Sequence, residues 1–380
     1  MIQISLCRWR GAYYCYLILS LLPFVRAQWP TRQLETFFPA WDYYLHDTDC
    51  TSSRKADLDA GEPGAYYDAI ECLLKAFPEY RKSEIAASSV ALGLLPTILS
   101  LLGPSITDQA VLSMRRPLLA FLLAAGSPAV NPQLRDEYTA LIERKLSSGA
   151  NITRTGPRRS VWSKRVILVS LVEHAAALGA MLNIAILAYQ LSIFAVTSFA
   201  VRWGYLPALW AGLTLLIHGA SFLALRVKVH KRYPEREGPA GRRRRNDSLS
   251  SFSDSCVAEV TPCKHQQSMT LQWCGEDELR YKLGSVVVWM LNFGIVVHIF
   301  LGTLTLSGLL FISAADAISI VARFVASTVV SQLIFTYELS GIKKTTFIID
   351  SVSTSTDNAP NDIEHEGTEM GLMSSEPENS

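Results

Sequence analysis

Six side chains able to carry, relay or hydrogen-bond charge sit inside apolar stretches of this sequence: Glu173, His174, His218, His298, Arg323 and Gln332. Ionisable groups at membrane depth are costly unless they are paired or used, which makes them functional candidates. Helical rise places Glu173 and His174 about 10 Å from the near end of their stretch, with His218 and Gln332 at similar depth. These four form one expected inner polar layer. His298 and Arg323 fall in the outer third, with Asp316 two turns above Arg323. A glutamate beside two histidines can relay protons near neutral pH. The same groups, hydrogen-bonded between helices, fix packing for a modest gain. With a single acidic residue expected deep in the membrane and no broken pair of half-helices evident, packing is the favoured role.

A second kind of chemistry lies in the tetrad Arg242, Arg243, Arg244 and Arg245, followed by Asn246-Asp247-Ser248. Arginines three and five residues before Ser248 suit a kinase that reads basic residues. Beside a membrane span, such a run attracts anionic lipid at roughly 1 kcal/mol per residue, and a phosphate there weakens the attraction. Cys256, Cys263, His265 and Cys274 match none of the usual structural zinc spacings, so no metal is expected. HExxH, GxSxG, P-loop and dinucleotide patterns are absent, as is a nucleophile with a recognisable base. The expectation is no enzyme, no cofactor and no nucleic-acid partner.

The elements that must position these residues are long apolar blocks separated by charged, Ser-rich or Pro-rich segments, the pattern of a multi-pass membrane protein. The net charge of +1 conceals a basic middle and an acidic end. Residues 1–27 read as a cleaved secretory signal peptide: Arg8 and Arg10, an apolar region, then Val25-Arg26-Ala27. Residues 28–84 form a small luminal or extracellular segment. Its cysteines, Cys50 and Cys72, are expected to pair in an oxidising compartment, which stabilises a segment this short by about 3 kcal/mol on the chain-entropy view. A helix is expected from Tyr66 to Phe77. Transmembrane helices follow at 85–102, 166–191, 205–225, 284–312 and 318–339. The run 117–130 is about 21 Å long as a helix, too short for roughly 30 Å of hydrocarbon, and reads as re-entrant or interfacial.

Charge orients the chain. With one crossing before it, the loop 131–165 carries its arginines and lysines on the cytoplasmic side. The basic, Ser-rich loop 226–283 follows suit. The turn Ser313 to Ala317 lies outside, and the acidic tail 340–380 is cytoplasmic and too poor in apolar residues to fold. A second crossing within 85–130 would invert this arrangement. The sequons at Asn151 and Asn246 are cytoplasmic and unused on the five-span reading.

Three segments carry a resemblance: Ile70-Glu71-Cys72-Leu73-Leu74, Ala91-Leu92-Gly93-Leu94-Leu95-Pro96-Thr97-Ile98-Leu99, and the stretch from Arg115-Arg116-Pro117 to Gly126-Ser127-Pro128. They resemble a family of multi-pass membrane proteins from filamentous fungi that has no assigned activity. The resemblance spans roughly residues 66 to 225. It implies a fungal source and transfers no functional residues. The sequence thus leads to an all-α polytopic membrane protein of the secretory pathway, at the plasma membrane or an endomembrane. The expected role is a non-enzymatic adaptor or sensor; the alternative is a transporter or channel using the intramembrane polar residues. Expected partners are the bilayer, anionic inner-leaflet lipids and a cytoplasmic protein engaged through the loop 226–283.

Overall fold

A backbone that crosses hydrocarbon must satisfy its own N–H and C=O groups, and a helix does so residue by residue. The computed structural model describes residues 50, 63–131, 142, 146, 164–199, 203–232, 256–266, 269–275 and 279–349. In chain order its helices are α1 (Pro63–Ala76), α2 (Glu79–Leu102), α3 (Ile106–Arg115), α4 (Pro117–Gly126), α5 (Lys164–Phe194), α6 (Leu206–Lys228), α7 (Leu279–Ser307) and α8 (Ala314–Thr345). Five of them, α2, α5, α6, α7 and α8, are long and apolar enough to cross a membrane. The chain is a multi-pass membrane protein. Large apolar side chains stay exposed along the bundle, among them Leu171, Leu182, Val286, Phe293 and Phe300. Such continuous exposure fits a surface that faces lipid.

At one end of the bundle, Cys50 and Cys72 are joined, with Cα atoms 5.8 Å apart. Ile70, Leu73 and Phe77 of this segment pack on Ile85, Val196 and Phe311. Phe311 takes a left-handed backbone (φ 60°), uncommon for a bulky residue, and its ring meets Phe77 at 5.7 Å. Two short strands close this disulfide end. β1 (Val196–Thr197) runs antiparallel to β4 (Leu309–Leu310), so α7 stops at Ser307 rather than at 312. The expected turn at 313–317 is instead the start of α8. The Ser313 hydroxyl accepts from the Asp316 backbone N–H and donates to its carboxylate, a reciprocal helix cap. Asp316 is thereby used in capping.

The opposite end, here the loop end, carries a sheet that an all-α reading missed. β2 (Val229–Arg232), β3 (Met269–Trp273) and β5 (Thr346–Ile349) align in the order β2-β3-β5. The first pair is antiparallel, with Val229 opposite Trp273; the second is parallel, with Met269 opposite Thr346. The tail expected to be unfolded from residue 340 continues as helix to Thr345 and as strand to Ile349. The signal region, the arginine tetrad, Ser248 and the acidic end beyond residue 349 lie outside the described residues.

The stretch after α2 differs most from expectation. Helix α3 runs toward the loop end and α4 returns. The Gln109 amide donates to the Ala120 carbonyl between them, and Ser105 pairs with Asn131 where the hairpin closes. Leu119, Ala120, Leu123 and Ala124 are buried. Gly126 packs against Ala180, midway along α5, so α4 is a half-helix inside the bundle. The α3–α4 hairpin thus folds back into the bundle. Its extended continuation, residues 127–131, is paired within the protein, as backbone at that depth must be. The Ser127 hydroxyl donates to Thr328 on α8.

Candidate functional site

The hairpin turn between α3 and α4 delivers two consecutive arginines to the loop end. Pro117 starts α4 at a position where its missing N–H costs nothing, and Arg116 just before it is fully buried. Its guanidinium collects partners from three other elements. Nη1 donates to Glu173 Oε2 at 2.6 Å on α5 and touches Glu338 Oε1 at 3.0 Å on α8. That second contact is ionic without good hydrogen-bond alignment, since Glu338 Oε1 has no donor. Nη2 donates to the Ser170 hydroxyl at 2.7 Å, and Nε to the Glu259 carbonyl at 3.0 Å. Ser170, Glu173 and His174 share one face of α5 because residues three and four apart stack along a helix.

Residues 256–266 are drawn onto this centre. The Glu259 carboxylate accepts the backbone N–H groups of Leu118 and Leu119, two of the donors left open at the start of α4. The same carboxylate lies 3.4 Å from His174 Nε2. The Cys263 N–H donates to Glu338 Oε2 at 3.1 Å. Arg115 holds the end of α8 through the Thr345 carbonyl and the Thr346 hydroxyl, both at 2.8 Å, and reaches Gln266 at 3.3 Å. Burial would weaken the hold of Arg116 on its proton, but Glu338 and Glu173 outweigh that and strengthen it. Burial, with Glu338 beside it, pushes the Cys263 thiol well above its ordinary range. The centre is a charge cluster that locks a loop segment to helices. Among the described residues no group of three or more His, Cys, Asp or Glu side chains is placed to hold a metal ion.

The structure divides the expected inner polar layer. Glu173 and His174 belong to the Arg116 cluster. His218 on α6 sits with His298 on α7 beside the re-entrant segment: His298 Nε2 is 3.2 Å from the Pro128 carbonyl, and His218 faces the backbone of Ala129. The ring of Trp210 stacks on His298 at 5.7 Å. Around this pair Trp210 Nε1, Thr214 Oγ1, Thr305 Oγ1 and both Nδ1 atoms are buried without partners. Gln332 is half-buried and enters neither group. Arg323 forms a third site, donating to Asn183 Oδ1 at 2.9 Å and Gln190 Oε1 at 2.8 Å, both on α5.

Sequence reasoning missed three members of the main cluster. Arg116 reads as half of a flanking basic pair, because nothing local says that the chain turns back after it. Glu338 stands next to the expected end of its span, where a carboxylate reads as interfacial. It makes a second acidic residue buried in the spans, where one was expected. Glu259 lies in a polar loop with no periodicity at all. The chain matches no protein-family model, no curated protein and no solved structure. The site itself carries the functional reading.

Proposed function

We propose that this protein is a non-enzymatic membrane adaptor or sensor, with its disulfide segment outside and its loop end in the cytoplasm. The observation that carries the reading is the docking of residues 256–266 on the helix bundle through Arg116, Glu173, Glu259 and Glu338. A loop tied to buried charges on α5 and α8 changes when the packing of those helices changes. At the other end the disulfide segment rests on α2 and on the two short strands. The bundle therefore joins an outer module to an inner one. The stretch preceding residue 256 holds the arginine tetrad and Ser248, which we assign to anionic inner-leaflet lipid and to regulation by phosphorylation.

A transporter or channel is the second reading. It is favoured by the half-helix α4 and the broken backbone beside His218 and His298, the kind of irregular, protein-lined segment on which carriers build sites. Two measurements separate the readings. The intact protein is captured from native membranes with and without phosphatase treatment. A defined cytoplasmic partner whose retention depends on phosphate supports the adaptor. Purified protein in liposomes is assayed for proton flux in parallel. A wild-type flux abolished by His298→Gln or Glu173→Gln, with no partner captured, supports the carrier.

A further inference from the structure

We propose that the seam between α6 and α7 is a lipid-facing binding site for a sterol, a membrane lipid with a rigid apolar body and one hydroxyl. The inference goes beyond the adaptor reading and stands whichever partner the loop engages. It starts from a groove of about 340 Å³, within the range of roughly 300–1,000 Å³ usual for small-molecule sites. Leu213 and Ala220 of α6 line it together with Val286, Met290 and Gly294 of α7, and His298 is the last lining residue along α7. Val286 and Met290 are exposed, so the groove opens on the lipid side of the bundle. From Val286 to His298 the helix rises about 18 Å. The walls are apolar over that length until His298, the one polar lining side chain among the described residues.

The polar end of the groove defines the occupant. His298 is only 2% exposed. The Pro128 carbonyl can only accept, so His298 Nε2, 3.2 Å away, donates and carries the ring proton. Among the described residues no carboxylate pairs with this ring, and an unpaired charge is costly in apolar surroundings, so the imidazole is neutral. Its Nδ1 is then an acceptor, buried and without a donor. The occupant must bring that donor, and a hydroxyl is the uncharged donor that membrane lipids carry. Depth excludes larger headgroups. His298 lies about 14 Å along the helix from Ser307, where α7 ends. A phosphate taken that far into hydrocarbon would lose its hydration. Diacylglycerols and ceramides would bury ester or amide groups beside their hydroxyl. A sterol buries one hydroxyl and otherwise only hydrocarbon, and its fused rings lose less freedom on binding than a flexible chain does.

The test uses full-length protein in phosphatidylcholine nanodiscs and a diazirine derivative of cholesterol with a free 3-hydroxyl. Photolysis is expected to label the α6 and α7 residues of the groove saturably, and plain cholesterol to compete. The 3-methyl ether of cholesterol keeps the body and loses the donor. It should compete about tenfold less well, the order expected for leaving a buried acceptor unpaired. Gly294→Leu fills the groove: a Cβ at Gly294 meets nothing within 4 Å, so the new side chain enters open space and labelling is lost. Gly179→Leu, at an equally open position on α5, keeps the labelling. Should Gly294→Leu fail to fold, the wild-type competition decides alone. Equal competition by the ether overturns recognition of the hydroxyl, and equal competition by dioleoylglycerol overturns the choice of a sterol. Labelling that spreads evenly over the lipid-facing helices, or that survives in folded Gly294→Leu, shows ordinary bilayer contact and overturns the site. Absence of saturable labelling overturns it as well.

Discussion

Gly341 on α8 presses so closely on the backbone of Lys264 that a Cβ added there would overlap the Lys264 nitrogen. This contact brings the 3-10 turn Cys263–His265 against the end of a membrane-spanning helix, one turn beyond Glu338. Backbone meets backbone here, and no flexible side chain can move aside.

Gly341→Ala should therefore destabilise the protein by about 1–3 kcal/mol, the usual cost of overpacking. Helix propensity alone would favour alanine by up to about 1 kcal/mol. Gly179 on α5 supplies the control, since a Cβ there meets nothing within 4 Å. Thermal unfolding in detergent should show a lower melting temperature for Gly341→Ala and none of that loss for Gly179→Ala. Proteolysis should cut the 256–266 segment faster in the first variant only. Equal behaviour of the two would show that the loop does not depend on this contact.

Arg116→Met should be more damaging than loss of one contact suggests. It strands Glu173 and Glu338 in a buried site, and breaking a buried ion pair from one side costs about 3–5 kcal/mol. The triple variant Arg116→Met, Glu173→Gln, Glu338→Gln should recover part of that loss, because no uncompensated charge remains. Melting temperatures of the single and triple variants give the comparison. A single variant as stable as wild type would mean that water already solvates the cluster.

Among the described residues, the three cysteines outside the disulfide should differ in reactivity. Cys256 is exposed, whereas Cys263 and Cys274 are buried. Thiolate is the reactive form; burial and the nearby Glu338 carboxylate push the Cys263 thiol upward, so it stays protonated through neutral and mildly alkaline pH. Maleimide labelling of folded protein should modify Cys256 alone, and Cys263 should label only after denaturation. Rapid labelling of Cys263 at neutral pH would show that residues 256–266 leave the bundle.

The loop before residue 256 offers an electrostatic test. Ser248 follows four arginines, so its phosphorylation should reduce binding to phosphatidylserine vesicles. The full-length protein, phosphorylated at Ser248 and held by its outer segment, should recruit such vesicles more weakly than the unmodified form. The difference should shrink with rising salt, because screening removes the charge interaction. Binding that ignores both phosphate and salt would leave the tetrad with a topological role only.

Orientation is tested at Asn151. The five-crossing arrangement leaves this sequon in the cytoplasm, where it stays unmodified. An endoglycosidase-sensitive mass shift lost in Asn151→Gln would place residues 131–165 outside and reverse the assignment of both ends.

The sequence by itself determined the five spans and the pairing of Cys50 with Cys72, because each depends on local composition. A run of apolar residues long enough for hydrocarbon has no other stable place, and Cys50 and Cys72 stand 22 residues apart in one segment. Helix ends were less legible. Charged residues continue α5 and α8 past the apolar core, and Ser313 caps α8 where a turn was expected. The sheet β2-β3-β5 was hidden because its strands come from three separated stretches, two of them continuing long helices. Only the tertiary structure decided that α4 turns back at Arg116, and that turn decides the rest. It converts a flanking arginine into the centre of a buried cluster with Glu173, Glu259 and Glu338, residues 57 to 222 positions further along the chain. Periodicity reports which face of an element is buried; it carries no information about which distant charge waits on the other side.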